Sequence, residues 1–140
     1  MESMGGSGYS GTALVKKLGI KEGQRVLLIA APADYASLVA PLPAGVQFVK
    51  QASTQVGLAH VFMTERAVLE KQLASLRSKL GDEAVVWISW PKKSAKVPTT
   101  VTEDVIRELA LPLGFVDIKV CAVTEVWSGL KLVVRKQLRT

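Results

Sequence analysis

Three short clusters in this chain hold the residue types that bind a ligand. Trp90-Pro91-Lys92-Lys93, with Lys96 close behind, sets lysines beside an indole. Trp127-Ser128-Gly129 adds a second indole and a hydroxyl. Tyr9-Ser10-Gly11-Thr12 adds a phenol and hydroxyls where a helix is expected to open. Lysines and the free amides of a helix start favour an anion. Aromatic faces favour a base or another ring. Together they describe a site for phosphate, carboxylate or a nucleotide, with Tyr9, Ser10, Gly11, Thr12, Trp90, Lys92, Lys93, Lys96, Trp127 and Ser128 as its residues. A plainer reading stands beside each. A Lys-Lys loop is often just solvated, indoles at strand ends often just pack, and Ser10 and Thr12 serve equally as helix caps.

Catalytic chemistry is thinner. The single cysteine, Cys121, lies in an apolar strand-like run and reads as a small core residue. The single histidine, His60, lies in Leu58-Ala59-His60-Val61-Phe62 and reads as a core or strand-end residue. Alone it builds no multi-histidine zinc site. Glu65, Glu103, Asp104 and Asp117 read as helix-start or turn residues, whereas Glu125 is a candidate base near the expected ligand edge. No serine elbow, lysine-bearing phosphate loop or cysteine–histidine signature is present. The expectation is a binding or regulatory domain rather than an enzyme, with no metal and no assigned cofactor.

The chain has 140 residues, 49% hydrophobic and 21% charged, which is a globular balance with length for one core. No apolar run is long enough to span a bilayer, and Met1–Gly8 lacks the pattern of a secretory signal. The expectations are a cytoplasmic protein without membrane contact and a disordered segment over 1–8. The net charge of +6 permits nucleic-acid binding through Lys92, Lys93, Lys96, Arg135 and Arg139.

The elements that would position these residues follow from pattern. Ser10 caps a helix running to Leu18, with Gly19 as its stop. Arg25–Ala31 is a strand apolar at nearly every position, as burial on both faces requires. Asp34 caps a short helix, Val46–Lys50 and Val56–Met63 are strands, and Thr64 caps a long helix to Leu80. Leu69, Leu73, Leu76 and Leu80 mark one face of that helix. Ala84–Trp90 is a strand, and Thr102 opens a helix with Glu103 and Asp104 in its positive first turn. Val116–Val126 and Leu130–Gln137 are strands joined at Trp127-Ser128-Gly129 as an antiparallel hairpin. Alternating units imply an α/β fold of three layers, with a mostly parallel Rossmann-like sheet over residues 9–140.

Leu18-Gly19-Ile20-Lys21-Glu22-Gly23-Gln24-Arg25-Val26-Leu27, the stretch from Lys79 to Ser89, and Leu113-Gly114-Phe115-Val116-Asp117 with Leu130–Lys136 resemble the class I adenosylmethionine-dependent methyltransferase fold. The resemblance implies a truncated version, lacking one βα unit between Lys50 and Val56. It also implies a glycine-rich turn after the first strand. Here Ala30-Ala31-Pro32-Ala33-Asp34 contains no glycine, and Pro32 has no amide hydrogen. The acidic residue expected after the second strand is replaced by Lys50 and Gln51. No cofactor residue carries over, so the scaffold reads as degenerate, with a divergent methyltransferase as the alternative. Gly8-Tyr9-Ser10-Gly11-Thr12, Trp90-Pro91-Lys92-Lys93 and Trp127-Ser128-Gly129-Leu130-Lys131 also resemble a family of short bacterial proteins known only as a domain of unknown function. That resemblance implies no activity. In either case the ligand edge is the one beyond the carboxyl ends of the parallel strands.

Overall fold

The computed structural model describes residues 13–140. The expected disorder of 1–8, the Ser10 cap and the candidate site residues Tyr9, Ser10, Gly11 and Thr12 lie outside the described residues. The chain runs α1 (Leu14–Leu18), β1 (Arg25–Ile29), α2 (Tyr35–Leu38), β2 (Gln47–Val49), β3 (Val56–Phe62), α3 (Arg66–Lys79), β4 (Val85–Pro91), α4 (Glu103–Ala110), β5 (Phe115–Ala122) and β6 (Trp127–Val134). A 3-10 turn, Lys93–Ala95, follows β4.

The six strands form one sheet in the order β2-β1-β3-β4-β6-β5. β2, β1, β3 and β4 are parallel, whereas β6 is antiparallel to both β4 and β5. The short stretch 50–55 joins β2 directly to β3, so β2 is the sheet's edge and no βα unit intervenes. β6 is internal and β5 forms the other edge.

Strand alternation divides the side chains between two cores. On one face, Val86, Ile88, Trp90, Leu130 and Leu132 meet Leu69, Leu73 and Leu76 of α3 and Ile106 of α4. Each of those α3 leucines is fully buried, worth about 1.5–3 kcal/mol apiece. On the other face, Val26, Leu58, Phe62 and Trp87 meet Val15 and Leu18 of α1 and Tyr35 of α2. Gly19 ends α1 in the left-handed conformation, φ 79°, as expected of a C-terminal glycine. The Trp87 indole donates to the Leu18 carbonyl at 2.8 Å, tying the end of α1 to the middle of the sheet.

Thr102 caps α4 as expected, its hydroxyl accepting from the Val105 amide at 3.2 Å. Thr64 does not cap α3. The helix begins at Arg66, and its first amide donates to the hydroxyl of Thr100 at 2.7 Å. The Thr64 carbonyl instead accepts from the Thr100 amide and the Thr99 hydroxyl. The cap therefore comes from the loop before α4, 34 residues away. Asp34 precedes α2 but makes no side-chain cap bond.

The hairpin turn is also displaced. Trp127, Ser128 and Gly129 open β6, and the reversal occupies residues 123–126. Thr124 builds it, its hydroxyl accepting from the Val126 and Trp127 amides while the Val123 and Thr124 amides donate to the Trp127 carbonyl. Gly129 serves packing instead of turning. A Cβ there would lie 3.0 Å from Val123 and 3.2 Å from the Trp87 ring. Among the described residues, no helix is long and apolar enough to cross a membrane.

Candidate ligand cavity at the carboxyl edge

β1 connects onward to β2 on one side and lies beside β3 on the other, so the winding of the sheet reverses at β1 and β3. Ligands of open α/β sheets seat beyond the strand ends at such a reversal. β1 stops at Ile29, two residues earlier than the sequence implies, because Ala30 turns the chain sharply with φ 56°. That left-handed conformation is one glycine adopts freely and alanine adopts at a cost of about 1–2 kcal/mol. The backbone thus makes a glycine-type turn without the glycine. It then enters α2 through Pro32, whose carbonyl accepts from the Tyr35 amide at 3.0 Å.

Beside this turn lies a cavity of about 610 Å³. Its walls come from three places: Ala13 and Leu14 at the start of α1, Pro32, Asp34 and Leu38 around α2, and Val123–Trp127 in the hairpin turn. The size falls within the ordinary range for small-molecule sites. The walls are mainly aliphatic, with the Trp127 ring on one side and the carboxylates Asp34 and Glu125 as the charged members. Among the described residues, no lysine or arginine lines it.

The described members of the sequence-derived site, Trp90, Lys92, Lys93, Lys96, Trp127 and Ser128, do not all meet at this cavity. Trp127 lines the cavity. Trp90 does not, because β4 and β6 pair with Trp90 opposite Ser128 and Pro91 opposite Trp127. Alternation then sends Trp90 and Ser128 to the α3–α4 face and Trp127 to the α1–α2 face. Trp90 is buried in the α3–α4 core. Lys92 is half-buried, whereas Lys93 and Lys96 are exposed. The Lys92 amide donates to the Val126 carbonyl at 2.8 Å, so the lysine loop abuts the cavity wall from outside. Glu125 is exposed at the rim. Of the other basic residues named for nucleic acid, Arg135 is exposed, and Arg139 donates to the Val134 carbonyl at 2.9 Å.

Beneath the cavity is a buried polar chain that sequence reasoning did not assemble. The Tyr35 hydroxyl lies 2.8 Å from His60 Nδ1, and His60 Nε2 lies 2.7 Å from the Ser89 hydroxyl. His60 and Ser89 are fully buried. Burial drives the imidazole down to about 3, so it is neutral near neutral pH, and burial raises the Tyr35 phenol above its ordinary range. A neutral imidazole donates at one nitrogen and accepts at the other, so its two partners bond in opposite senses. Phe62 stacks on His60 with ring centres 4.3 Å apart, and Trp127 meets Phe62 edge-on at 5.1 Å. The cavity's aromatic wall thus rests on the buried chain through Phe62. His60 is a core histidine, sealed from the cavity. Its signal in the sequence was a polar residue at the same alternation as Leu58 and Phe62. Cys121 is half-buried against the same core, and burial raises its thiol.

No family model matches the chain, and no curated protein matches it. Solved structures do. A SAM-dependent methyltransferase from Aquifex aeolicus superposes with a TM-score of 0.65 at 16% identity, over 87% of this chain and 88% of that one. The fibrillarin pre-rRNA processing protein of Methanococcus jannaschii gives 0.58 at 11% identity, over 82% of this chain and 68% of that one. A TehB-like SAM-dependent methyltransferase from Corynebacterium glutamicum gives 0.54 at 12% identity, over 91% and 90%. At these identities the likeness speaks for architecture, and the chain carries a Rossmann-like α/β fold of the methyltransferase type.

Proposed function

We propose that this chain is a ligand-binding or regulatory domain without turnover, whose ligand seats in the carboxyl-edge cavity as a flat apolar or aromatic body carrying a positive charge. The observation that supports this is the cavity's lining: aliphatic walls, the Trp127 ring, and Asp34 and Glu125 as its charged groups. An indole face and carboxylates attract a cation, and the carboxylates oppose a phosphate. A sheltered general acid or base is one feature that enzymes commonly use for turnover. Here His60 is sealed beneath the aromatic wall, and Glu125 is exposed. We read the chain as a cytoplasmic member of the short bacterial family whose motifs it resembles.

Two other readings each have an observation behind them. The bond from Lys92 to Val126 favours a nucleotide whose ring lies on Trp127 and whose phosphates reach Lys92 and Lys93. The likeness to methyltransferases favours a divergent enzyme of that kind. Adenosylmethionine, on which the Aquifex and Corynebacterium proteins depend, is itself a ring compound with a positive sulfonium.

A thermal-shift panel on the parent chain and on Trp127→Ala separates the three. It contains adenosylmethionine, adenosylhomocysteine, arylammonium compounds, nucleotides and phosphorylated metabolites. A ligand at about a hundred times its dissociation constant adds about 2.7 kcal/mol. Shifts with ring cations, lost in Trp127→Ala and unaccompanied by methyl transfer, support the proposal. Shifts with nucleotides lost in Lys92→Ala/Lys93→Ala support the second reading. Methyl transfer to any acceptor supports the third. No shift with any compound removes the small-ligand site.

A further inference from the structure

On the α1 side of the sheet, Lys119 of β5 is exposed and Lys131 of β6 is half-buried. Lys119 of β5 stands directly opposite Lys131 of β6, and Lys131 in turn stands opposite Trp87 of β4. Like charges directly opposed in an antiparallel pair destabilise it. Lys21 follows α1 closely enough that its charge, with that of Lys119, acts on Lys131. Lys17, in the last turn of α1, acts with Lys119 on the neighbouring Cys121. Among the described residues, the arginines Arg66, Arg77 and Arg107 each hold a carboxylate, whereas Lys21, Lys119 and Lys131 hold none. Glu22 follows Lys21 in sequence but forms no ion pair with these three.

We propose that this face, Lys21, Lys119 and Lys131 with Lys17 at its margin, docks the phosphate backbone of a nucleic-acid duplex without reading its sequence. Three observations select that partner. The β5 and β6 backbones bond to each other along the face, so no cluster of free amides is left to cradle a single phosphate. None of these lysines lines any of the described cavities, so the surface suits an extended anion more than a small one. The aromatic ring beside Lys131, Trp87, is fully buried, so it offers no platform for the unstacked bases of a single strand. Flexible cations on a flat surface are what neutralises successive phosphates and positions a duplex. The net charge of +6 adds long-range attraction.

The test is fluorescence anisotropy of a short mixed-sequence DNA duplex with the full chain over a series of salt concentrations. Three neutralised phosphates give a slope of log affinity against log salt of about −2.7. Lys119→Gln/Lys131→Gln is expected to reduce the slope's magnitude by about 2, while Lys92→Gln/Lys93→Gln leaves it unchanged. The Gln pair relieves a like-charge contact, so its melting temperature should match or exceed the parent's. If that pair does not fold, Lys119→Arg/Lys131→Arg must bind like the parent, and Lys21→Gln must lower the slope by about 1. Three results would overturn the proposal: no duplex binding at the lowest salt, a slope that follows Lys92 and Lys93 instead, or displacement of the duplex by polyglutamate of equal charge as readily as by unlabelled duplex. The last would identify an acidic protein as the partner.

Discussion

Tyr35 and His60 are joined by a hydrogen bond of 2.8 Å between two almost wholly buried groups, one on the single-turn helix α2 and the other in the middle of β3. α2 has only four residues, too few for a helix to hold itself together in water. Its place is set by what Tyr35 reaches: His60 by hydrogen bond, and Phe48 and Phe62 by edge-on ring contacts at 5.8 and 5.9 Å. Because Asp34, just before α2, and Leu38, at its end, both line the cavity, this bond fixes one wall of the candidate site.

Tyr35→Phe keeps the ring and removes the hydroxyl. His60 Nδ1 is then left without a partner in a dry environment, at a cost of roughly 1–3 kcal/mol. Urea unfolding should show that loss with an unchanged slope. A variant as stable as the parent would show that the bond contributes nothing.

The same histidine makes stability depend on pH in a defined direction. Burial lowers its folded pKa from 6.5 to about 3. As pH falls below 6.5 the unfolded chain takes up a proton that the folded chain refuses until about 3. The unfolded state binds more protons in that window, so stability rises with pH through it and is lost as pH falls. His60 is the chain's one histidine, and carboxylates titrate mostly below about pH 5. The slope of stability between about pH 5 and 6.5 therefore belongs to His60, and His60→Gln should flatten it. A slope that persists in that variant would assign it elsewhere.

The remote cap on α3 gives a paired comparison. Thr100→Ala removes the hydroxyl that receives the Arg66 amide at 2.7 Å and should cost about 1 kcal/mol. Thr64→Ala, at the position that sequence pattern favours as the cap, should change stability by less than about 0.5 kcal/mol. Equal effects in thermal melts would contradict the assignment.

The architecture was largely legible because its strongest signals are local. β1, β3 and β4 are near-continuous apolar runs, α3 carries its leucines on one face, and Thr102 announces α4. Relationships between elements were not legible. Trp90 and Trp127 both stand at the carboxyl edge, but only the antiparallel register of β4 with β6 reveals that they face opposite sides. Trp127-Ser128-Gly129 reads as a turn because glycine usually marks one, whereas Gly129 is small so that Val123 and Trp87 can close over it. Tyr35, His60 and Ser89 are separated by 25 and 29 residues, so no spacing rule joins them. The lysines of the expected site are conspicuous as a run, whereas Lys119 and Lys131 become neighbours only through the β5–β6 ladder.

The proposed ligand of the cavity is flat, carries a positive charge and lies against Trp127. The most direct test is calorimetric titration of adenosylmethionine and adenosylhomocysteine into the parent chain and into Trp127→Ala. The two compounds share a ring and differ by a methyl group and the positive charge that it creates. Tighter binding of adenosylmethionine, no methyl transfer, and loss of binding in Trp127→Ala are expected. Equal or tighter binding of the neutral compound, binding that survives in Trp127→Ala, or binding of neither would contradict the proposal.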